Sequence, residues 1–458
     1  MRGSEDSAIR VLKMDPAPDT GPFELSRPMP LPSLIEIEPV PRPQALRVTI
    51  PGSKSITNRA LILAALARGP ATLRGALWSE DTQVMVECLR KLGFEVTVDP
   101  DPGEPANRTI RVVGLGGIIP RGGTATAPLE LHVGNAGTAA RFLAAFVCLG
   151  EGSFRLSGVP RMHERPQAAL LDALRQLGYR VESASGRLPA VIEGAAGPRP
   201  GRCSVSISES SQFASALLLT APTAGWQVDL AGTGDLDDAP YVAMTSRLTD
   251  AFPRGGGDFE IEPDASSGSY FWAADWLMRG GRPAPASELP VSGWPTSGWQ
   301  VDARFPRYLP LPAVVSREAD LGDSIMTAIV LAPFAGYPVR FTELGRLRVQ
   351  ECERVRALRT ELSKCGARIE EEGETLTVFP GPLHGAEIET YQDHRMAMCF
   401  ATLGLQVPGL KIRNPACVKK TFPNFFQKLA ARVPEGIGAR IREPGSGRVL
   451  ALEELHAD

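Results

Sequence analysis

The stretch RALILAALARGPATLRG, residues 59–75, contains the pattern that decides the fold. Its first part is apolar on every side, which predicts a fully buried helix. Gly69 and Pro70 then stop the helix before a short strand. The same succession of apolar helix, stop and strand occurs five more times, in copies that begin at Thr138, Ser211, Ser269, Asp323 and His394. Self-similarity at a near-regular spacing indicates a repeat architecture.

A second kind of helix alternates with the first. Its examples are DTQVMVECLRKLGFEVTV from Asp81, PQAALLDALRQLGYRVES from Pro166 and CERVRALRTELSKCGARIEE from Cys352. Apolar residues recur there at i, i+3, i+4 and i+7 with charges between them, so these helices are amphipathic and each leads into a strand. Six units of this kind predict an α/β protein with buried helices, arranged as two lobes of three repeats rather than as a Rossmann sheet or a TIM barrel.

Size and charge exclude several classes of protein. A chain of 458 residues is too long for one core and predicts two or three domains. The net charge of −3 argues against a general nucleic-acid binder or an anionic-membrane binder, although a local basic pocket remains open. No uncharged apolar run approaches the length of a membrane-spanning helix.

The cysteines and the chain ends give further expectations. Seven scattered cysteines without CxxC spacing and only five histidines predict reduced thiols in a cytoplasmic protein, with no metal and no cofactor. Residues 1–32 are rich in proline and read as a flexible arm, too acidic for a transit peptide and without the apolar segment of a signal peptide. Residues 435–458 read as a C-terminal appendage.

Cations and small polar residues recur where the buried helices begin. GSKSITNRA places Lys54, Ser55 and Arg59 at the first helix, VGNAGTAAR places Gly137, Thr138 and Arg141 at the second, and ESSQF places Ser210, Ser211 and Gln212 at the third. A helix N-terminus favours anions, and an added Lys or Arg makes it a phosphate or carboxylate site. Plain N-capping by Ser, Thr and Asn is the other interpretation. PGSKS lacks the upstream glycine of a P-loop, and VVGLGGIIPRGG lacks the frame of a dinucleotide site.

Further charged residues lie in the loops. The cations are Arg161, Arg165, Arg346, Arg348, Arg354, Arg356, Arg395, Lys419 and Lys420, and the carboxylates are Asp323, Glu351, Glu353 and Asp393. Surface charges, helix caps and structural ion pairs remain alternative interpretations of each. Many cations with a few carboxylates, and no nucleotide loop, favour an enzyme that handles small polyanions by acid–base chemistry.

Seven ordered motifs resemble the 5-enolpyruvylshikimate-3-phosphate (EPSP) synthase family: PGSKSITNRA, GNAGTAAR, GVPRMHERP, SSQF, PDASSGSYF, DHRMAM and KTFP. The resemblance spans about residues 35–432 and implies a two-lobed inverse α/β barrel with three βαβαββ-type repeats per lobe. It implies one lobe over 53–262 and a discontinuous lobe over 33–52 and 263–434. It also implies a monomer in the shikimate pathway that acts on small molecules.

The resemblance implies transfer of the enolpyruvyl group of phosphoenolpyruvate to the 5-hydroxyl of shikimate 3-phosphate, through a tetrahedral intermediate that loses phosphate. Proton transfer is then expected from Lys54, Asp323 and Glu351. Phosphoenolpyruvate would be bound by Lys54, Gly137, Arg161, Gln212, Arg354, Arg395 and Lys420. Shikimate 3-phosphate would be bound by Lys54, Ser55, Arg59, Ser210, Ser211, Gln212, Tyr241, Asp323, Arg346 and Gln350. Inhibition by glyphosate at the phosphoenolpyruvate site is also implied, with Gly137 leaving room for it.

The chain departs from the family pattern at several positions. Gln350 stands where the family has a substrate-binding Lys, and we hypothesise that Arg346 supplies the missing charge. Phe142 replaces a frequent Pro, and Asp238 falls near a Ser of the family's phosphate pocket, where a second anion would be unfavourable. The region 281–322 is short, so the fourth or fifth repeat is expected to lack regular structure.

Two other functions remain open. One is the enolpyruvyl transferase that acts on UDP-N-acetylglucosamine, which normally carries a reactive Cys in an Arg-containing loop that this chain lacks. The other is a diverged, non-catalytic binding protein of the same fold, suggested by Gln350 and the region 281–322. Retention of Lys54, Asp323 and Glu351 argues against the second.

Overall fold

The computed structural model describes residues 31–40, 45–231, 239–285 and 288–457. Its helices are α1 (Lys54–Leu66), α2 (Glu80–Lys91), α3 (Gly137–Phe146), α4 (Pro160–Glu164), α5 (Ala168–Gln176), α6 (Gln212–Ala224), α7 (Pro240–Ala251), α8 (Ala265–Met278), α9 (Ile325–Leu331), α10 (Arg354–Lys364), α11 (His394–Gly404) and α12 (Phe425–Ala430). Short 3-10 helices span Val147–Leu149, Val301–Tyr308, Ala332–Phe334, Gly345–Val349, Pro415–Lys420 and Leu452–Leu455.

The strands are β1 (Leu34–Ile37), β2 (Pro70–Leu77), β3 (Val96–Pro100), β4 (Asn107–Val113), β5 (Leu129–His132), β6 (Glu151–Ser157), β7 (Val181–Glu182), β8 (Ala190–Ala195), β9 (Gly201–Ser206), β10 (Trp226–Ala231), β11 (Gly257–Glu260), β12 (Val314–Ser316), β13 (Val339–Thr342), β14 (Ile369–Glu372), β15 (Thr375–Val378), β16 (Glu387–Ile388), β17 (Leu410–Arg413) and β18 (Ile441–Arg442).

The six apolar helices predicted from the repeat are present and buried. They form two groups of three, because α1, α3 and α6 pack against one another and α8, α9 and α11 do the same. Every residue of α3, α8, α9 and α11 is buried, which explains why these sequences show no polar face. The predicted arrangement of buried helices in an α/β protein is therefore confirmed.

Four sheets repeat one strand order. They run β11-β2-β4-β3, β5-β6-β8-β7, β12-β13-β15-β14 and β16-β17-β1-β18, and in each the first two strands are parallel and the others antiparallel. A fifth sheet pairs β9 with β10 in parallel. The amphipathic helices α2, α5 and α10 lead into β3, β7 and β14 as predicted, and each keeps exposed residues on one side.

Two hydrophobic cores divide the described chain. One contains buried residues between Ile56 and Ile261, and the other contains residues from Leu31 to Ile50 and from Tyr270 onward. Strand β1 joins the second core by pairing with β17 and β18. On this basis we propose 53–262 for one lobe, as expected from the sequence, and 33–52 with the described residues from 263 onward for the other.

The C-terminal segment corrects one prediction. Residues from 435 on were expected to form an appendage, but β18 pairs with β1 and the side chains of Ile437, Ile441 and Leu455 are buried in the second core. The apolar residues of this segment are too widely spaced for the sequence to predict a strand there. The predicted arm over 1–32 lies outside the described residues except for its last two.

The region 281–322 lacks regular structure over most of its length, as predicted. Its described residues hold one 3-10 helix and the short strand β12, and Val291 makes a single bridge to Val48. The fourth repeat therefore contributes α8 without a sheet of its own in the described part of the chain. Across all the residues that the structure describes, no helix has the length and hydropathy of a membrane-spanning segment.

Candidate active site

A cleft of about 1030 Å³, including its open mouth, lies between the two cores. It is lined from the first core by the starts of α1, α3 and α6, and from the second by residues before α9 and α10 and by the first turn of α11. Most of the predicted site residues meet there: Lys54, Ser55, Arg59, Gly137, Ser210, Ser211, Gln212, Tyr241, Asp323, Arg346, Gln350, Glu351 and Arg395. Because three helix N-termini converge, their free N–H groups add to the positive field of the cations.

Arg59 is a buried guanidinium with neutral partners. Its Nε donates to Thr245 Oγ1 at 2.8 Å, and its other nitrogens donate to the hydroxyl of Ser215 and to main-chain carbonyls. The ring of Phe142, the residue that departs from the family pattern, lies 5.1 Å from the guanidinium carbon. Burial lowers the pKa of Arg59 to about 10. Among the described residues no carboxylate pairs with it, so its charge is available to an anion in the cleft.

A second cationic centre surrounds Gly137. Arg141 donates to the carbonyls of Gly137 and Pro166, and Arg165 donates to that of Asn135 at 3.2 Å. Both side chains line the cleft and neither has a carboxylate partner in the described part of the protein. Burial and the neighbouring Arg165 lower the pKa of Arg141 well below its usual value.

Gly137 permits this close approach. A Cβ at this position would lie 2.8 Å from a nitrogen of Arg141 and 2.8 Å from a nitrogen of Arg165. Those distances are too short for a carbon, so a side chain here would push both guanidinium groups aside.

Asp323 lies among three arginines on the opposite wall. Its oxygens are 3.2 Å from Arg317, 3.1 Å from Arg395 and 3.9 Å from Arg354. Burial alone would raise the pKa of Asp323, but the cations, led by Arg395, outweigh burial and hold the pKa well below its usual range. The group is therefore an ionised carboxylate at neutral pH.

Glu351 has a similar environment. Lys420 Nζ is 3.1 Å and Arg354 is 2.9 Å from its carboxylate oxygens. Burial opposes ionisation, yet Lys420, Arg354 and Arg165 together lower the pKa of Glu351 well below its usual value. Lys54 reaches the cleft from α1 and pairs with the buried Asp81 at 3.1 Å.

Three predicted site residues do not line the cleft. Lys420 and Arg354 are buried behind Glu351, and Arg354 also pairs with Asp393 at 2.7 Å. Arg161, predicted to bind phosphoenolpyruvate, does not reach the cleft. Its guanidinium extends to the second lobe and donates to the main-chain carbonyls of Gln350 and Glu351.

Arg165, four residues after Arg161 in the same motif, occupies the cleft instead. The motif GVPRMHERP offers two arginines, and the sequence alone gives no signal for choosing between them. Arg161 lies in α4, whereas Arg165 follows its last residue and turns toward Gly137.

Gln350 and Arg346, two positions at which the sequence departs from the family pattern, both lie at the cleft. Gln350 lines the cleft and its side-chain oxygen accepts a hydrogen bond from Arg354. Arg346 lines the same cleft, lies 3.5 Å from Glu318 and donates to the carbonyl of Ser208 across the cleft. Asp238, which falls near a Ser of the family's phosphate pocket, lies outside the described residues.

Sequence reasoning missed Arg317 and Asp81 as lining residues. Arg317 stands in an irregular stretch where no motif marks it, and Asp81 reads as an ordinary first-turn carboxylate of α2. His394 is fully buried, and burial together with Lys54 and Arg395 lowers its pKa well below the usual value, so its ring is neutral. No cluster of metal-ligating side chains occurs within the described ranges.

Comparison with known proteins gives a consistent result. The family model described as EPSP synthase (3-phosphoshikimate 1-carboxyvinyltransferase) matches residues 40–253 and 311–429. A 3-phosphoshikimate 1-carboxyvinyltransferase of Opitutus terrae is 40% identical over 433 residues, which cover 88% of this chain and 98% of the relative. One from Trichormus variabilis is 38% identical over 432 residues, covering 86% and 98%.

Solved structures show the same fold. An EPSP synthase from Acinetobacter baumannii has a TM-score of 0.64 at 19% identity and covers 90% of this chain and 100% of that protein. The enolpyruvyl transferase NikO from Streptomyces tendae has a TM-score of 0.61 at 18% identity, covering 89% and 98%. The two-lobed architecture is therefore shared beyond close relatives.

Proposed function

The chain belongs to the EPSP synthase family, and from this premise we propose that it transfers the enolpyruvyl group of phosphoenolpyruvate to the 5-hydroxyl of shikimate 3-phosphate. The 5-oxygen bonds to C2 of phosphoenolpyruvate and C3 takes up a proton, which gives a tetrahedral intermediate. Loss of a proton from C3 and of phosphate from C2 then forms the enolpyruvyl ether.

The observation that carries the proposal is the pair of cationic centres that lack carboxylate partners in the described structure. Arg59 forms one, and Arg141 with Arg165 forms the other. A buried guanidinium without a counter-ion is costly unless an anion compensates it. Two such centres in one cleft suit a reaction that joins two small anions.

The first centre would hold shikimate 3-phosphate. Arg59 and the hydroxyl groups of Ser55, Ser210 and Ser211 would take its phosphate, since all four residues line one side of the cleft. The remaining proposed contacts to this substrate come from Lys54, Gln212, Tyr241, Asp323, Arg346 and Gln350.

The second centre would hold phosphoenolpyruvate. We assign it Arg165 in place of Arg161, together with Lys54, Gly137, Gln212 and Arg395. Arg354 and Lys420 would act here through the carboxylate of Glu351, which both of them contact.

Proton transfer would use the two ionised carboxylates and Lys54. Cations hold the pKa values of Asp323 and Glu351 low before substrate arrives. Arg165 lines the cleft and contributes to the low pKa of Glu351. When an anionic substrate pairs with Arg165, the pKa of Glu351 rises toward its usual value, and the group can accept and return a proton. Asp323 would accept the proton of the 5-hydroxyl.

Phosphate release tests the proposal. The enzyme should release phosphate only when both substrates are present, and Lys54→Met should lower the rate by about a hundredfold or more, as expected for loss of a group that acts in proton transfer. Lys91→Met on the exposed end of α2 is the matched control and should leave the rate unchanged. Phosphate release from phosphoenolpyruvate alone, or none from the pair, would contradict the proposal.

Two finer expectations remain proposals. We propose a cytoplasmic enzyme, supported by seven cysteines that are all free. We also propose a monomer, supported by a cleft built from the two lobes of one chain. No cysteine lines the cleft, so nothing in it favours the reactive-Cys chemistry of the UDP-N-acetylglucosamine enzyme.

A further inference from the structure

The loop that carries Asp323 is held from behind by a second carboxylate, Asp302. Its Oδ1 accepts hydrogen bonds from the main-chain N–H of Gly322 at 2.8 Å and of Ser324 at 3.1 Å, and from Ser324 Oγ at 2.5 Å. Its Oδ2 accepts one from Ser266 Oγ. Asp302 is 3% exposed and does not line the cleft, so it acts through the groups that it touches.

The positions of these hydrogen bonds matter. Gly322 and Ser324 are the two neighbours of Asp323 in the chain, so one carboxylate oxygen fixes the backbone on both sides of it. With both peptide N–H groups anchored, the Cα of Asp323 has little freedom, and its carboxylate is directed at Arg317 and Arg395.

Close packing around Gly322 supports the same conclusion. A Cβ on Gly322 would lie 2.7 Å from the hydroxyl of Tyr241 and 3.1 Å from Asp302 Oδ1. Tyr241 is a proposed contact of shikimate 3-phosphate, so the glycine lets one loop approach both Asp302 and the substrate side of the cleft.

The segment that contains Asp302 also anchors α8. Gln300 accepts a hydrogen bond from the N–H of Ala265 at 2.9 Å and donates to the carbonyl of Pro263 at 2.8 Å. Together with the bond from Ser266 to Asp302, these contacts tie the start of α8 to the loop before α9. Residues 300–302, at the start of the 3-10 helix Val301–Tyr308, thus connect the start of α8 to the loop before α9.

A buried carboxylate is a costly acceptor for the N–H groups of the loop before α9. Burial, and then the nearby charge of Asp323, raise the pKa of Asp302, and no Lys or Arg of the described chain forms an ion pair with it. A neutral Asn or Ser would cap the turn without this cost. The carboxylate, however, can accept hydrogen bonds from two N–H groups and two hydroxyl groups at once.

We propose that Asp302 is a positioning residue that fixes the Asp323 carboxylate for contact with shikimate 3-phosphate. The inference deepens the proposed function and rests on it. It differs from a role in stability alone because it requires the effect of Asp302 to pass through Asp323.

A double-mutant cycle on substrate affinity tests this. Shikimate 3-phosphate binding is measured by calorimetry for wild type, Asp302→Ala, Asp323→Ala and the double variant, so no turnover is needed. We expect Asp302→Ala to weaken binding by about tenfold in the wild-type background and by less than about twofold in the Asp323→Ala background. Asp302→Asn keeps an acceptor oxygen and should restore binding to within about threefold of wild type.

Two further variants serve as a control and as a replacement in case Asp302→Ala does not fold. Asp275→Ala removes another buried aspartate, which lies in α8 away from the cleft and pairs with Arg279 just after that helix. This variant should leave the affinity unchanged. If Asp302→Ala fails to fold in a thermal melt, Ser324→Ala takes its place in the cycle, because it removes the hydroxyl group that donates to Asp302 Oδ1, and Ser324 does not line the cleft. It should show the same dependence on Asp323.

The outcomes separate the two proposals. Equal losses of affinity in both backgrounds, or no loss in either, would overturn the role of Asp302 while leaving the function intact, provided that wild type releases phosphate. A wild-type protein that neither binds shikimate 3-phosphate nor releases phosphate would overturn both.

Discussion

Three arginines explain how a chain of net charge −3 can form a site for anions. Arg59, Arg141 and Arg165 are buried beside the cleft and make hydrogen bonds to hydroxyl and carbonyl groups, and none of them forms an ion pair with a described carboxylate. Most acidic residues of the described chain are exposed or half-buried and are spread over its surface. Net charge averages over both groups, whereas a bound anion responds to the few cations in its pocket.

Gly137→Ala should weaken phosphoenolpyruvate binding selectively. The new Cβ would displace the guanidinium groups of Arg141 and Arg165, so the KM for phosphoenolpyruvate should rise by about tenfold, a cost of ~1.4 kcal/mol. The wild type should be inhibited by glyphosate, and the variant should require more of it. Steady-state kinetics with shikimate 3-phosphate as the internal control measures both effects. An unchanged KM for phosphoenolpyruvate would contradict the assignment of this centre.

Arg346→Ala tests whether Arg346 compensates for Gln350. Loss of the guanidinium should raise the KM for shikimate 3-phosphate by about tenfold with a smaller change for phosphoenolpyruvate. Arg348→Ala on the same 3-10 helix is the control, because Arg348 points away from the cleft to Glu353 and Glu371. If both variants have the same KM as wild type, Arg346 does not bind this substrate.

Asp323 should also contribute to the pH dependence of stability. Its folded pKa is depressed, so its contribution is present above the unfolded pKa of about 4 and is lost as the pH falls below that value. The difference in unfolding free energy between wild type and Asp323→Asn should therefore be largest at neutral pH and shrink in acid. Urea titrations at a series of pH values measure it, and a difference independent of pH would show that the ion pairs contribute nothing.

At the level of helices and strands, the sequence predicted most of the fold. The six buried helices could be recognised because apolar residues occupy nearly all sides of each, and the three amphipathic helices because their charges recur with the helical period. Strand β18 could not be recognised, since a two-residue strand owes its pairing to β1, more than four hundred residues away in the chain.

The site was less predictable than the fold, for a related reason. Lys54, Arg59 and Gly137 stand at helix starts, where a motif fixes the position of each residue. Arg317 lies in a turn and Asp302 in the short 3-10 helix Val301–Tyr308, and only tertiary contacts bring them to the loop of Asp323. Arg161 and Arg165 share one motif, and the end of the short helix α4 decides which of them enters the cleft.

Helix α4 makes a contact between the lobes, through Arg161, that we expect to affect catalysis. Arg161 donates to the carbonyls of Gln350 at 2.9 Å and Glu351 at 3.2 Å, and so holds the backbone that carries Glu351. Arg161→Ala should lower kcat by about tenfold, since displacement of a reacting group by a fraction of an ångström has effects of this size. Arg175→Ala on α5, where the side chain pairs with the exposed Asp172, is the control and should retain wild-type kcat. A wild-type kcat for Arg161→Ala would exclude this role.

For the whole molecule, the position of the cleft predicts closure of the lobes. Residues from both cores line the cleft, and bound anions would draw the cations of the two walls together. The radius of gyration in X-ray scattering should fall when shikimate 3-phosphate and a phosphoenolpyruvate analogue bind together. Phosphate alone is the control for ionic strength. Identical scattering curves with and without ligands would contradict closure.

The central claim is that this cleft joins phosphoenolpyruvate to shikimate 3-phosphate by addition and elimination. Reaction of the two substrates in D₂O, followed by mass spectrometry of the product, tests it most directly. Since C3 takes up a proton from solvent and later loses one, the product should be an enolpyruvyl ether of shikimate 3-phosphate with deuterium in its methylene group. Phosphate release without this ether, or an ether free of deuterium, would contradict the claim.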